Sequence, residues 1–157
     1  MPNAIEHMGT IPADELLKLE NQLCFPLYAC SKEVVRRYTP FLDELGLTYT
    51  QYLAMMALWE YGSMSVGELG QRLYLDSGTL TPVLKKMEAK GLVERKRSSE
   101  DERRVEIVLT HAGEALKTDA AKVPIEMGRC IDIAPEDAAE LARLLHKILD
   151  GLTSSVE

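Results

Sequence analysis

The run from Asp76 to Thr110, DSGTLTPVLKKMEAKGLVERKRSSEDERRVEIVLT, allows few folds. In its first half Leu80, Val83, Leu84 and Met87 recur at i, i+3, i+4 and i+7, which predicts an amphipathic helix with one apolar stripe. Asp76 or Ser77 is placed to cap its start, and Gly91 to stop it. The opposite face carries Gly78, Pro82, Lys85 and Ala89, flanked by Thr79, Thr81 and Lys86. Small, hydroxyl and basic side chains let such a face approach a phosphate-lined groove closely. Two short strands are predicted next, over residues 92–97 and 104–109, joined by a charged tip over residues 98–103.

Charge follows the same outline. Residues 85–104 hold eight Lys/Arg against five Asp/Glu, whereas the whole chain is at −7. Basic charge concentrated on one segment is what phosphate neutralisation by counterion release requires. A solvated helix face and an ordinary hairpin would explain the charge alone. Order adds the discrimination: helix, glycine stop, strand, basic tip, strand is the outline of a DNA-binding winged helix-turn-helix. Upstream segments agree. Thr48 can cap a helix over Tyr49–Tyr61, and Ser65-Val66-Gly67-Glu68 is a capping box opening a short helix over Val66–Leu73. Short helix, turn, longer helix places the second one in the major groove.

At 157 residues the chain is one domain, or one module with dimerising helices. The longest apolar run, Tyr52–Trp59, is too short to span a bilayer, and Met1–Glu6 has no basic leader-like region, so a cytoplasmic protein is expected. Cys24, Cys30 and Cys130 form no C-x-x-C pair and no zinc spacing, while His7, His111 and His146 are scattered. No metal or cofactor is implied. In a reducing compartment the cysteines are inert core residues or redox-active ones.

The flanking segments read as helices. A first long helix is expected from about Asp14 to Tyr38, interrupted at Pro26, which puts Cys24 beside a helix start or break where free N–H groups favour a thiolate. Thr110 can cap a fifth helix reaching about Met127, broken near Pro124. Pro135 opens a last helix over about Glu136–Leu152, on which Leu141, Leu144, Leu145, Ile148, Leu149 and Leu152 make one stripe. Such a stripe closes its own core or packs on a second subunit. Two half-sites per operator favour the second reading. The expected architecture is mainly α with a small β-wing and six helices. Residues 1–47 and 111–157 are then dimerisation helices and residues 48–110 the DNA-binding module.

Asp76–Leu84 and Asp101-x-Arg103, followed by Leu109-Thr110, resemble the MarR family of dimeric winged-helix regulators. More narrowly, Leu19-Glu20-Asn21-Gln22-Leu23-Cys24, Tyr49-Thr50-Gln51-Tyr52-Leu53-Ala54 and the run Leu73 to Pro82 resemble its organic-hydroperoxide-sensing repressors. The resemblance extends over residues 18–127. It implies a homodimer on a pseudo-palindromic operator, with Cys24 as peroxide sensor and Tyr28, Tyr38 and Tyr49 as hydrogen-bond donors to its thiolate. Tyr28 is i+4 from Cys24 and within reach on one face. Tyr38 is fourteen residues on, roughly 21 Å along a straight helix, so it, and with it Tyr49, is expected to meet the partner's cysteine. Phe25, Leu27, Tyr52 and Met55 are the apolar surroundings expected to favour organic hydroperoxides.

Cys130 lies where some of these sensors carry a second cysteine, which implies an intersubunit Cys24–Cys130 disulfide; Cys30 is read as structural. Carried over to DNA, the resemblance puts Ser77, Thr79, Thr81 and Lys86 at the major groove. Arg103 goes in the minor groove at the wing tip, oriented by Asp101. Lys85, Arg95 and Arg97 are the candidate phosphate contacts. The resemblance leads us to expect an arginine where Lys86 stands, and lysine reads guanine with less geometric definition. Two other readings stay open. One is a MarR-type regulator that binds a phenolic ligand reversibly; the other is a thiol peroxidase, against which no general acid is visible near Cys24.

Overall fold

The computed structural model describes residues 12–97 and 105–154. After one helical turn at Ala13–Leu16 and a 3-10 turn at Leu19–Asn21, the order is α1 (Cys24–Glu44), α2 (Tyr49–Tyr61), β1 (Met64–Ser65), α3 (Val66–Leu73) and α4 (Ser77–Ala89). It continues with β2 (Val93–Arg97), β3 (Val105–Leu109), α5 (His111–Ala120), α6 (Val123–Cys130) and α7 (Pro135–Thr153). The chain divides into two compact units, Met1–Val123 and Pro124–Glu157.

Seven helices of eight residues or more are described, against six expected; α1 begins at Cys24 rather than at Asp14, with residues 13–21 in two short separate turns, and the other differences fall at prolines. Pro26 does not interrupt α1 but sits in its first turn, where its missing N–H has no helical partner to lose. The helix then runs past Tyr38 and through Pro40 to Glu44. An interior proline costs about 3 kcal/mol in an open helix. Burial of Leu42, at 1% exposure, and half-burial of Phe41 offset much of that, at about 2 kcal/mol for one fully buried leucine. The expected fifth helix is two, because Pro124 occupies the first turn of α6 rather than the break; the chain turns at Ala121–Lys122.

Caps set the other boundaries. Thr48 and Gln51 form a capping box at α2, Ser65 and Glu68 another at α3. Asp76 caps α4 and Thr110 caps α5. Gly91, at φ +70°, takes the left-handed position that ends α4. The apolar stripe of α4 is buried as its spacing predicts: Leu80, Leu84 and Met87 are fully enclosed with Leu69, Met55, Leu58, Val93 and Ile107 in one core. The wing is a three-stranded antiparallel sheet in the order β1-β3-β2, with Met64 opposite Ile107 and Arg97 opposite Val105. The two-residue strand β1 was not anticipated; two residues carry no periodicity. Its buried Met64 pins the inner edge of the wing to the core.

The turn between α3 and α4 is tight. Leu75 N–H donates to Gly70 O at 2.9 Å, and a Cβ on Gly70 would stand 2.6 Å from Leu75 O. Tyr74, in this turn, is the one non-glycine residue with positive φ (54°) among the described residues, and is 61% exposed. Left-handed backbone costs an L-residue about 1–2 kcal/mol, and glycine returns roughly half of the gain through unfolded-state entropy. Tyr74→Gly is therefore expected to stabilise the fold by about 0.5–1 kcal/mol, read as a rise in the urea midpoint with unchanged slope. Among the described residues no helix is long and apolar enough to cross a membrane.

Candidate functional site

The outward face of α4 is built from its cap. Asp76 Oδ1 accepts the Thr79 N–H at 2.9 Å and Asp76 Oδ2 accepts the Thr79 hydroxyl at 2.7 Å. The Thr79 hydroxyl, ahead of the backbone N–H groups, holds the Asp76 carboxyl below the usual range. The Thr81 hydroxyl donates to Ser77 O at 2.6 Å. Both threonines thus spend their hydroxyl hydrogens inside the helix and present lone pairs and a methyl group, which can accept from a base donor or contact a thymine methyl. Ser77, Lys85 and Lys86 are exposed. On the wing Arg97 is exposed, whereas Arg95 Nε lies 3.5 Å from Glu88 and Lys96 lies 3.2 Å from Glu94. Arg95 therefore faces an acidic side chain of α4 before it meets any phosphate. Asp101 and Arg103 lie outside the described residues.

Cys24 is the first residue of α1 and is exposed. Its helix start has no side-chain cap; Phe25 N–H donates to Gln22 O at 3.2 Å and Pro26 has no N–H to offer. Tyr28, one turn on and 60% exposed, carries the Lys32 ammonium 5.2 Å from its ring centre. Pro26 is the only proline between Cys24 and Tyr38, and it sits in the first turn. Continuity of α1 therefore keeps Tyr38 roughly 21 Å from the Cys24 of its own chain.

Tyr38 instead meets Tyr49 and Tyr52, with ring centres 4.9 and 6.0 Å apart. The structure thus unites Tyr38 with Tyr49 and leaves Cys24 with Tyr28 at the other end of the helix. Of the apolar residues expected around Cys24, Met55 and Tyr52 are core residues of the winged-helix unit. Beside the helix start is an open groove of about 660 Å³ lined by Lys18, Leu19, Glu20, Phe25 and Pro26. Cys130 ends α6 and is exposed, as is Cys30.

Burial, and then the neighbouring Tyr38, push the Tyr49 phenol above its ordinary value of 10.0; the same causes, with Tyr49 added, raise Tyr52. Both therefore stay protonated, as hydrogen-bond donors, throughout the physiological range. A folded-state value above the unfolded one means that the native state holds more protons over the interval between the two. Stability from this pair is complete below about pH 10 and is lost as pH rises through the raised values. Alkaline unfolding followed with phenolate absorbance is expected to show two tyrosines titrating only as the fold is lost.

Two residues here escaped sequence reasoning. Gln51 is 2% exposed, and its side-chain oxygen accepts both Thr48 N–H and Lys90 Nζ, each at 3.1 Å. Thr48-x-x-Gln51 has capping-box spacing, which would have identified Gln51; nothing local marks Lys90.

Residues 47–105 match the MarR family. Over 152 residues, 97% of each chain, this chain is 47% identical to the organic hydroperoxide resistance transcriptional regulator of Bacillus subtilis. Among solved structures it is similar to reduced AbfR bound to DNA, at TM-score 0.73 and 32% identity over 92% of this chain and 98% of that one. It is also similar to AbfR in its disulfide form, at TM-score 0.60 and 31% identity over 91% and 95%; AbfR is a Staphylococcus epidermidis protein. A near full-length relationship at this identity, on a winged helix built from the same segments, makes this chain a member of the MarR family.

Proposed function

We propose that this protein is a homodimeric, DNA-binding transcriptional repressor that senses organic hydroperoxides through Cys24 and leaves its operator on oxidation. One observation carries the reading: an exposed cysteine at an uncapped helix start, in the same compact unit as a winged helix. Near full-length identity to a regulator named for organic hydroperoxide resistance supports it. The Cys24 thiolate attacks the terminal oxygen of the hydroperoxide. An S–O bond forms, the O–O bond breaks, and the alkoxide takes a proton and leaves as alcohol. The sulfenic acid then condenses with Cys130 of the partner subunit, forming the disulfide and releasing water.

Dimerisation fits the surface of Pro124–Glu157. Leu141, Leu144, Ile148, Leu149 and Leu152 of α7 are all exposed in the single chain, on one stripe. Residues 1–47 and 111–157 would form the dimer and residues 48–110 read DNA, with Ser77, Thr79, Thr81 and Lys86 in the major groove. Lys85, Arg95 and Arg97 would lie on phosphates, and Asp101 and Arg103 at the minor groove. Tyr38 and Tyr49 would donate to the partner's cysteine and Tyr28 to its own, and rupture of these bonds on oxidation would respace the two α4 helices. Titrating DNA-bound protein with an alkyl hydroperoxide tests the reading. Release at one equivalent per protomer is expected, with an intact mass showing a Cys24–Cys130 dimer; a mass increase equal to a small thiol would exclude Cys130 as the resolving residue.

A further inference from the structure

The C-terminal end of α4 is tied to the turn that carries the tyrosine cluster. Lys90, the residue that closes α4, reaches Gly46 O in the α1–α2 turn and Gln51 Oε1 at 3.1 Å. Gln51 is the one buried polar side chain among the described residues, and Thr48 N–H holds the same oxygen. Within that first turn of α2, Tyr49 packs on Tyr38 and Tyr52 enters the core. A displacement of Tyr49 therefore moves the acceptor on which Lys90 rests. A lysine at a helix C-terminus also meets the negative end of the helix dipole. Loss of the ammonium leaves Gln51 Oε1 still bonded to Thr48, so the contact matters more for where α4 points than for whether the unit folds.

We propose that Lys90 and Gln51 are positioning residues of the DNA-binding surface, whose hydrogen bond sets the angle of α4 against α2 and passes movement of the Tyr38–Tyr49 pair to it. The proposal rests on the DNA-binding reading above. A duplex selected from random-sequence DNA by the wild-type protein serves as probe; failure of the wild type to select any duplex would sink that reading and this proposal with it, whereas selection by the wild type with variants of unaltered affinity would sink this proposal alone. Salt-dependent affinities are measured for wild type, Lys90→Met, Lys90→Arg, Gln51→Met and the double variant.

Lys90→Met and Gln51→Met are each expected to weaken binding about tenfold, the scale of one charge-assisted hydrogen bond, with the double variant no weaker than either. Lys90→Arg, which keeps the donor, is expected to restore binding, and the slope of log affinity against log salt should match wild type throughout. The other result is a slope reduced by about one in Lys90→Met with no effect of Gln51→Met; it would make Lys90 a plain phosphate contact and overturn the proposal. Additive losses, or wild-type affinity in both single variants, would overturn it as well. Should Gln51→Met melt below the assay temperature, the slope of Lys90→Met and the rescue by Lys90→Arg decide alone.

Discussion

Cys24→Ser is expected to yield a repressor that binds DNA like the wild type and that hydroperoxide cannot dislodge. Cys24 is exposed at the first position of α1, so serine removes no core packing and leaves the helix start intact. What it removes is the nucleophile, since a serine hydroxyl is not ionised near neutrality and does not attack an O–O bond. In the wild type, driving the dimer from 99:1 bound to 99:1 free requires a differential of about 10⁴ in affinity, or about 5.5 kcal/mol. A covalent bond at Cys24 with the loss of the phenol hydrogen bonds proposed above would be of that order. Fluorescence anisotropy on a labelled duplex, with and without cumene hydroperoxide, reads the difference. Release of the serine variant by one equivalent would move the chemistry to another cysteine or to a reversibly bound ligand. Peroxide consumption well beyond one equivalent per Cys24 in the wild type would instead mark a turning-over peroxidase.

Gly113→Ala is expected to be the most damaging single methyl in the winged-helix unit. Gly113 lies where three elements converge. Its carbonyl accepts the Trp59 indole N–H at 3.0 Å, its N–H donates to the Thr110 cap, and a Cβ would stand 2.1 Å from Leu92 O. Leu92 cannot yield freely, because its carbonyl accepts Thr110 N–H at 3.1 Å and the Thr110 hydroxyl holds Gly91 O. Overpacking against fixed backbone costs about 3 kcal/mol at the upper end of its usual range, which is roughly 6–12 °C in Tm for a chain of this size. DNA affinity should fall with it, since Leu92 links α4 to the wing. Gly67→Ala is the control: the nearest atom to its Cβ would be Ser65 Oγ at 4.0 Å, and alanine is the better helix former there. Equal melting temperatures for the two variants would show that the Gly113 contact relaxes without cost.

The winged helix was legible because its signals are local. The spacing Leu80, Val83, Leu84, Met87 predicts the α4 face that the core encloses, with Val83 half-buried at its edge. Asp76, Ser65 and Thr110 each sit at the helix start they were expected to cap. Pro135 was legible as a helix start, whereas Pro26, Pro40 and Pro124 were legible only as disturbances. Pro40 lies inside α1, because a core leucine two residues on rewards one more turn, and no local rule weighs that burial. The resemblance named Tyr38 and Tyr49 as working together, and their rings do meet, but only the packing of α1 on α2 brings positions eleven residues apart to 4.9 Å.

What the amino-acid order determined alone is therefore the kind of most elements and where most helices begin, since caps, periodicity and turn residues act within a few positions of themselves. Tertiary structure decided which distant groups meet: Lys90 and Trp59 in hydrogen bonds to Gln51 and Gly113, and Met64 opposite Ile107 in the sheet. Those pairings depend on angles between helices, and such angles follow from how whole faces pack rather than from any short stretch of sequence.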